Sequence, residues 1–274
     1  MHPGGIDEGE LRRLAHLNLI EYCREGTRWG AGGGIEEFDG LLLYAMGTWI
    51  PVMSNGVFRL DDDVPAEDVI ALADGWFEPR QRGYTVSVRD TGEDDDLQQA
   101  CEKAGLAPWG DRATPEMVCT QRLSDEPLPA GAVVRFVHTE DDVADFAMVC
   151  SAAYGSYGMP RGALRSIFSR PAALLASPHI RTVLIDVDDE PVAGAMTIAS
   201  HGMAGVHWVG TVETARRMGL GQAAARAATN AGFDLGARAV TLQSSPMGEH
   251  LYLRMGYERL FGYLVYVRYE THRD

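Results

Sequence analysis

The sequence is poor in cysteine, almost devoid of lysine, and free of long apolar runs. Its four cysteines, at positions 23, 101, 119 and 150, have neither metal-ligand spacing nor the pattern of a disulfide framework. Free thiols in a reducing cytoplasm are the expectation. No stretch approaches the ~18 apolar residues of a membrane helix. The first ten residues lack the basic-then-apolar order of a signal peptide. A cytoplasmic protein with no membrane partner and no metal site is therefore expected. Lys103 is the only lysine among 24 basic residues, a bias of composition to which no function attaches. Two phosphate-binding glycine motifs are also missing: the Walker loop with Gly-Lys-Ser/Thr, and the dinucleotide fingerprint Gly-x-Gly-x-x-Gly.

What remains is an ordinary globular composition, 46% apolar and 23% charged. At 274 residues there is room for one large domain or two of usual size. The net charge of −15 is unevenly placed, with 11 basic and 25 acidic residues in 1–131 against 13 and 14 in 132–274. Such a field repels nucleic acid and anionic membranes. It suits a cationic amine as partner, although solubility alone is an equally good reason for it.

Hydrophobic periodicity predicts a helix over 7–25 and a glycine loop over 30–34. Strands follow from Leu41 and over 50–60, then a helix from Pro65, a strand over 84–88, a helix over 94–104 stopped by Gly105, and a strand over 117–123. In the second half, strands at 183–187, 192–200 and 206–212 lead to a helix from Gly221. A strand at 239–243, a helix at 248–255 stopped by Gly256, and a strand at 263–269 complete it. The order repeats, and the acidic, proline-bearing segment 124–131 is the natural linker. The division expected is 1–128 and 132–274.

The most informative stretch is 208–257. β-forming residues reach Val212, with Gly210 marking a bulge or a close backbone approach. The turn Arg216-Arg-Met-Gly-Leu-Gly follows, and an Ala-rich helix starts at Gln222. A strand, a glycine turn and a helix N-terminus form a phosphate cradle, because backbone amides and the helix dipole both favour an anion there. Arg216 and Arg217 add guanidinium forks that match phosphate oxygens. A helix entry with no ligand is the alternative.

This segment resembles the GNAT superfamily of acyl-CoA-dependent N-acetyltransferases. The family's motif Arg/Gln-x-x-Gly-x-Gly/Ala is matched by Arg216, Gly219 and Gly221. Its Leu-Tyr-x-x-x-Gly-Phe/Tyr motif is matched by Leu251, Tyr252, Gly256 and Tyr257, with Ser245 where the family often has Asn. The close match covers 208–260 and a weaker one about 132–274. The resemblance implies an α/β fold of two GNAT-like lobes, each a central, mostly antiparallel sheet flanked by helices. The first lobe is degenerate: Asp61-Asp-Asp stands at its strand-to-helix turn, and Cys101 falls where Tyr252 does.

It further implies acetyl-CoA as donor, bound by Val209, Gly210, Thr211, Arg216, Arg217, Met218, Gly219, Leu220, Gly221, Gln222, Ser245 and Tyr252. Tyr252 stands at the general-acid position, and the Val209 N–H faces the thioester carbonyl. For the base, the family's glutamate position is Gly205 here, which leaves His207, two residues on, as candidate; a structural histidine is its alternative. His201 and Glu213 are weaker candidates, and a water chain is another. Tyr154, Tyr157 and Trp208 are expected to line the acceptor site, with ordinary loop packing as the alternative for the tyrosines and a place in the core as the alternative for Trp208. The reaction expected is direct attack by a primary amine in a ternary complex, with a homodimer left open. The alternatives are a non-catalytic acyl-CoA-binding module, or a nucleotide or phosphosugar binder using the same loop.

Overall fold

The computed structural model describes residues 6–155, 160, 162–245 and 248–270. Asp7 caps α1 (Glu8–Trp29), accepting from the Glu10 amide at 2.9 Å. β1 (Gly34–Phe38) and β2 (Leu41–Ala45) form a hairpin. Its turn, Asp39-Gly40, has positive φ at both residues, the geometry that follows strand twist. The first half continues with β3 (Asn55–Arg59), α2 (Ala66–Phe77), β4 (Tyr84–Arg89), α3 (Asp95–Lys103), β5 (Ala107–Pro108) and β6 (Thr114–Cys119). The second half opens with β7 (Ala132–Phe136), α4 (Glu140–Tyr154), α5 (Ala163–Ile167) and α6 (Pro171–Leu175). Then come β8 (Ile180–Val187), β9 (Glu190–Ser200), β10 (Met203–Thr211) and α7 (Leu220–Asp234), followed by β11 (Val240–Gln243), α8 (Glu249–Met255) and β12 (Glu258–Arg268).

Several boundaries differ from expectation: α1 runs on to Trp29, β6 begins at Thr114, and β12 begins at Glu258. Gly34 opens a strand instead of closing a loop. The strand expected from Ile50 starts only at Asn55, because Pro51 lacks an amide for a ladder and Met53 turns left-handed at φ 69. The side chain of Asn55 secures that turn, donating to the carbonyls of Trp49 at 3.2 Å and Ile50 at 3.1 Å.

The strands make one mixed sheet in the order β1-β2-β3-β4-β12-β6-β11-β10-β9-β8-β7, with β5 beside β12. β3 and β4 are parallel across α2, and β10 and β11 are parallel across α7, so the halves repeat one strand–helix–strand unit. At the seam they trade strands. β6, from the first half, pairs with β11; β12, from the second, pairs with β4; and β6 and β12 pair with each other. The two halves therefore meet in one continuous sheet.

Helices cover both faces. α2 and α3 enclose one core of the first half, and α7 and α8 enclose one of the second. The largest core lies on the opposite face, where α1 and α4 pack over strands of both halves, from Phe58 and Val118 to Ile198 and Trp208. α1 is thus a first-half helix lying on second-half strands: the Asn18 amide donates to the Ile198 carbonyl at 3.1 Å. The linker is fastened as well. Asn230 of α7 accepts from the Leu123 amide and donates to its carbonyl, both at 3.0 Å, and Arg226 donates to the Ser124 carbonyl at 2.8 Å.

Candidate functional site

β10 and β11 lie side by side only as far as Val206 and Leu242. Beyond that point β10 stays with β9 through a bulge between His207 and Gly210, while β11 ends at Gln243. Trp208 makes the bulge at φ 56, an uncommon value for a bulky residue. In consequence two consecutive residues, His207 and Trp208, face α1 and α4, whereas Val206 and Val209 pack toward α7. Tyr154 braces the bulge, its hydroxyl donating to the Val209 carbonyl at 3.2 Å and its ring edge-on to Trp208 at 5.5 Å. Gly210 is required there, since a Cβ would stand 2.8 Å from that of Ala153. The parted strands leave a cleft.

At its mouth β10 runs into an exposed turn that carries Arg216, Arg217 and Met218. Arg217 at φ 64 and Gly219 at φ 80 turn the chain into α7, with Gly219 as its N-cap. The first amides of α7, at Leu220, Gly221 and Gln222, have no acceptor within the helix and lie at its positive end. Gly221 leaves room for Thr211, whose hydroxyl oxygen would be 2.8 Å from a Cβ. Arg216 donates to the Ala153 carbonyl at 3.1 Å, which ties the turn to the end of α4. Two guanidinium groups, a row of helix-end amides and an exposed glycine together fit a diphosphate.

On the same face as α7, Tyr252 of α8 is 8% exposed, with its ring 5.8 Å from that of Tyr257. Ser245 starts the turn into α8 by accepting from the Gly248 amide at 3.2 Å. Gly248 sits against the tyrosine ring, where a Cβ would approach Cε2 to 3.0 Å. The turn before α2 in the first half is built differently. Before α2, the Asp63 amide donates to Asp61 Oδ1 at 3.0 Å and Asp62 pairs with Arg89 at 3.6 Å. Carboxylates there occupy the place that an anion would need.

Two expected site residues, His207 and Trp208, are placed otherwise than expected. His207 stacks on Tyr22 of α1 at 3.9 Å, and burial lowers its pKa to about 3. A proton acceptor that weak is a poor base near neutrality, and the helix that buries it comes from the other half. Trp208 is 3% exposed, packed between Tyr154 and Phe168, and does not line the cleft. Tyr154 is half-buried beside the bulge. Tyr157 lies outside the described residues. His201 is exposed on the β9–β10 turn, and Glu213 is exposed beside the cradle.

One residue was missed. Glu116 on β6 is 2% exposed, and burial raises its pKa to about 8 although Thr241 and Gln243 favour its charged form. A lone acid inside the apolar strand Thr114–Cys119 was the available signal. Among the described residues no group of three or more His, Cys, Asp or Glu could hold a metal ion, and no helix is long and apolar enough to cross a membrane.

The buried histidine predicts a pH effect. Between pH ~6.5 and its depressed pKa of about 3, the unfolded chain binds a proton at His207 that the folded chain does not. Stability therefore falls as pH drops below ~6.5, by up to about 1.4 kcal/mol per unit. His207→Phe keeps a stacked ring and should reduce that slope by about one proton in urea titrations between pH ~7 and ~5. An unchanged slope would place the proton elsewhere; His16, lowered to about 4 by burial, contributes in the same direction.

Residues 148–257 match the family model described as the Acetyltransferase (GNAT) family. Solved structures similar to nearly the whole chain include a GCN5-related N-acetyltransferase from Kribbella flavida, at 18% identity and a TM-score of 0.70, covering 95% of this chain and 97% of that one. A GCN5-related N-acetyltransferase from Sphaerobacter thermophilus is 15% identical with a TM-score of 0.63, covering 84% of this chain and 76% of that one. A functionally unknown conserved protein from Staphylococcus epidermidis is 15% identical with a TM-score of 0.60, covering 88% of this chain and 95% of that one. At these identities the likeness is one of fold. No curated protein matches the chain.

Proposed function

We propose, from the match of residues 148–257 to the GNAT acetyltransferase family model, an enzyme that moves an acetyl group from acetyl-CoA to a primary amine by direct attack in a ternary complex. The observation that carries this reading is the parting of β10 from β11 directly ahead of the glycine-capped helix α7. Arg216, Arg217 and the amides of 217–222 hold the diphosphate. The cleft admits the pantetheine arm, and the Val209 N–H faces the thioester carbonyl. A donor aimed at a developing oxyanion contributes about 10²–10³-fold in rate. Tyr252 supplies a proton or hydrogen bond to the departing sulfur.

Direct attack is favoured over a thiol-bound intermediate because all four cysteines are buried, and burial pushes the Cys150 thiol up. Buried free thiols also suit the cytoplasm. Residues 1–128 form a half without a coenzyme cradle of its own, which lends α1 and β6 to the half that has one. The net charge of −15 favours a cationic amine.

The test is calorimetry with acetyl-CoA, ATP and NAD, followed by thiol release with a panel of primary amines. Acetyl-CoA binding with amine-dependent release supports the enzyme. Binding without release leaves a coenzyme-binding module, and equal binding of all three nucleotides removes the coenzyme assignment.

A further inference from the structure

The exchange of strands at the seam places an acid of the first half beside the second half's cleft. Strand alternation decides which face it takes. On β11, Val240 and Leu242 pack under α7, so Thr241 and Gln243 face α1. On β6, Met117 and Cys119 pack under α7, and Val118 and Glu116 face α1. Gln243 and Glu116 are register partners, the last pair of that ladder. Gln243 is also the first residue of β11 beyond the point where β10 departs. Glu116 thus stands one strand spacing, about 4.8 Å, from the lip of the cleft, on the face opposite the coenzyme cradle.

Its surroundings are those of a group held for proton exchange. One carboxyl oxygen, Oε2, is buried with no hydrogen-bond partner, a costly arrangement for an acid with only a structural role. Thr241 and Gln243 flank the carboxyl from β11. From β12, Tyr263 faces it, and the Tyr263 hydroxyl meets His16 Nδ1 of α1 at 2.9 Å. Arg89 and Asp94 from the β4–α3 corner, with Cys23 of α1, complete the titratable groups acting on that tyrosine. Among the described residues no cation pairs directly with Glu116, whereas Asp94 is held by both Arg59 and Arg89. Gln243, exposed at the strand end, separates the acid from solvent.

We propose that Glu116 accepts the proton shed by the amine substrate: the N–H bond of the bound ammonium breaks, an O–H bond forms on Oε2, and a neutral amine with a free lone pair remains to attack the thioester. The residue that activates the nucleophile thus comes from the half that lacks the cradle, which gives the strand exchange a chemical consequence. Its raised pKa matches the role, since a base is most effective when its pKa lies near working pH. The inference rests on the acetyltransfer reading of the cleft.

The test combines Glu116→Gln, which keeps size and hydrogen-bonding capacity, with a measurement on the wild-type carboxyl. With acetyl-CoA and a panel of benzylamine, tyramine, agmatine and spermidine, the variant should lose about 10²–10⁴-fold in kcat/KM. It should also lose the acidic limb of the pH profile while retaining coenzyme affinity. In wild-type protein labelled with ¹³C-glutamate, one carboxyl resonance should titrate near pH 8 and be absent from the variant. If every glutamate titrates in the ordinary range, or if the variant turns over with the wild-type pH profile, the role is overturned while the transferase reading stands. If wild-type protein binds acetyl-CoA yet releases no thiol with any of these amines, the transferase reading falls and the role falls with it.

Discussion

Arg216→Ala combined with Gly219→Val should weaken acetyl-CoA binding about 10²–10³-fold in calorimetry, while leaving a folded protein. Arg216 offers a charge-assisted contact to a phosphate oxygen, and such bonds are worth about 1.5–3 kcal/mol. Gly219 sits at φ 80, where a branched side chain adds about 1–2 kcal/mol of backbone strain. The same side chain would stand before the amides of Leu220 and Gly221. The lost phosphate contact and the blocked amides together reach about 3–4 kcal/mol, and ~1.4 kcal/mol is tenfold in affinity. The strain alone destabilises the fold slightly, because the space at Gly219 is open apart from Pro129 at 3.6 Å. Circular dichroism of the unliganded variant separates the two effects. Coenzyme affinity that survives both changes would remove the turn from the binding site.

The strand, turn and helix entry of 203–234 were legible because their parts are local. A strand, a glycine turn and a helix entry lie within about twenty consecutive residues, and each obeys short-range rules of propensity and capping. The stop of α8 at Gly256, with φ 98, was legible for the same reason. The Asp39-Gly40 hairpin is just as local, a two-residue turn of a strongly preferred type, but it went unread because taking 30–34 as a plain loop hid β1 beside it.

What could not be read is non-local. Nothing in the spacing of β6 or β12 says that each will lie in the other half's sheet, since both carry apolar patterns that suit either position. His207 looked accessible because strand alternation fixes the face but not what covers it. α1, nearly 200 residues earlier in the chain, covers it with Tyr22. Trp208 was misplaced by the same bulge that makes the site. One left-handed residue puts two neighbours on one face, which period-two reasoning does not allow.

Replacing Tyr252 with Phe should lower kcat by about 10²–10⁴-fold with little change in acetyl-CoA affinity. The two halves supply the comparison behind this. α3 ends at Gly105 with φ 72 and α8 at Gly256 with φ 98, and four residues before each glycine stands a buried side chain. In the half without a cradle it is Cys101, fully enclosed; in the half with one it is Tyr252. A phenol there has a role that packing does not explain, because the equivalent position packs with a thiol. Phe keeps the ring against Tyr257 and Gly248, so the packing around α8 is undisturbed. An interaction made only as the thiolate departs affects kcat and kcat/KM alike and leaves ground-state binding unchanged. Loss of affinity in step with kcat would instead make Tyr252 a wall of the binding site, and an unchanged kcat would remove the phenol from the reaction.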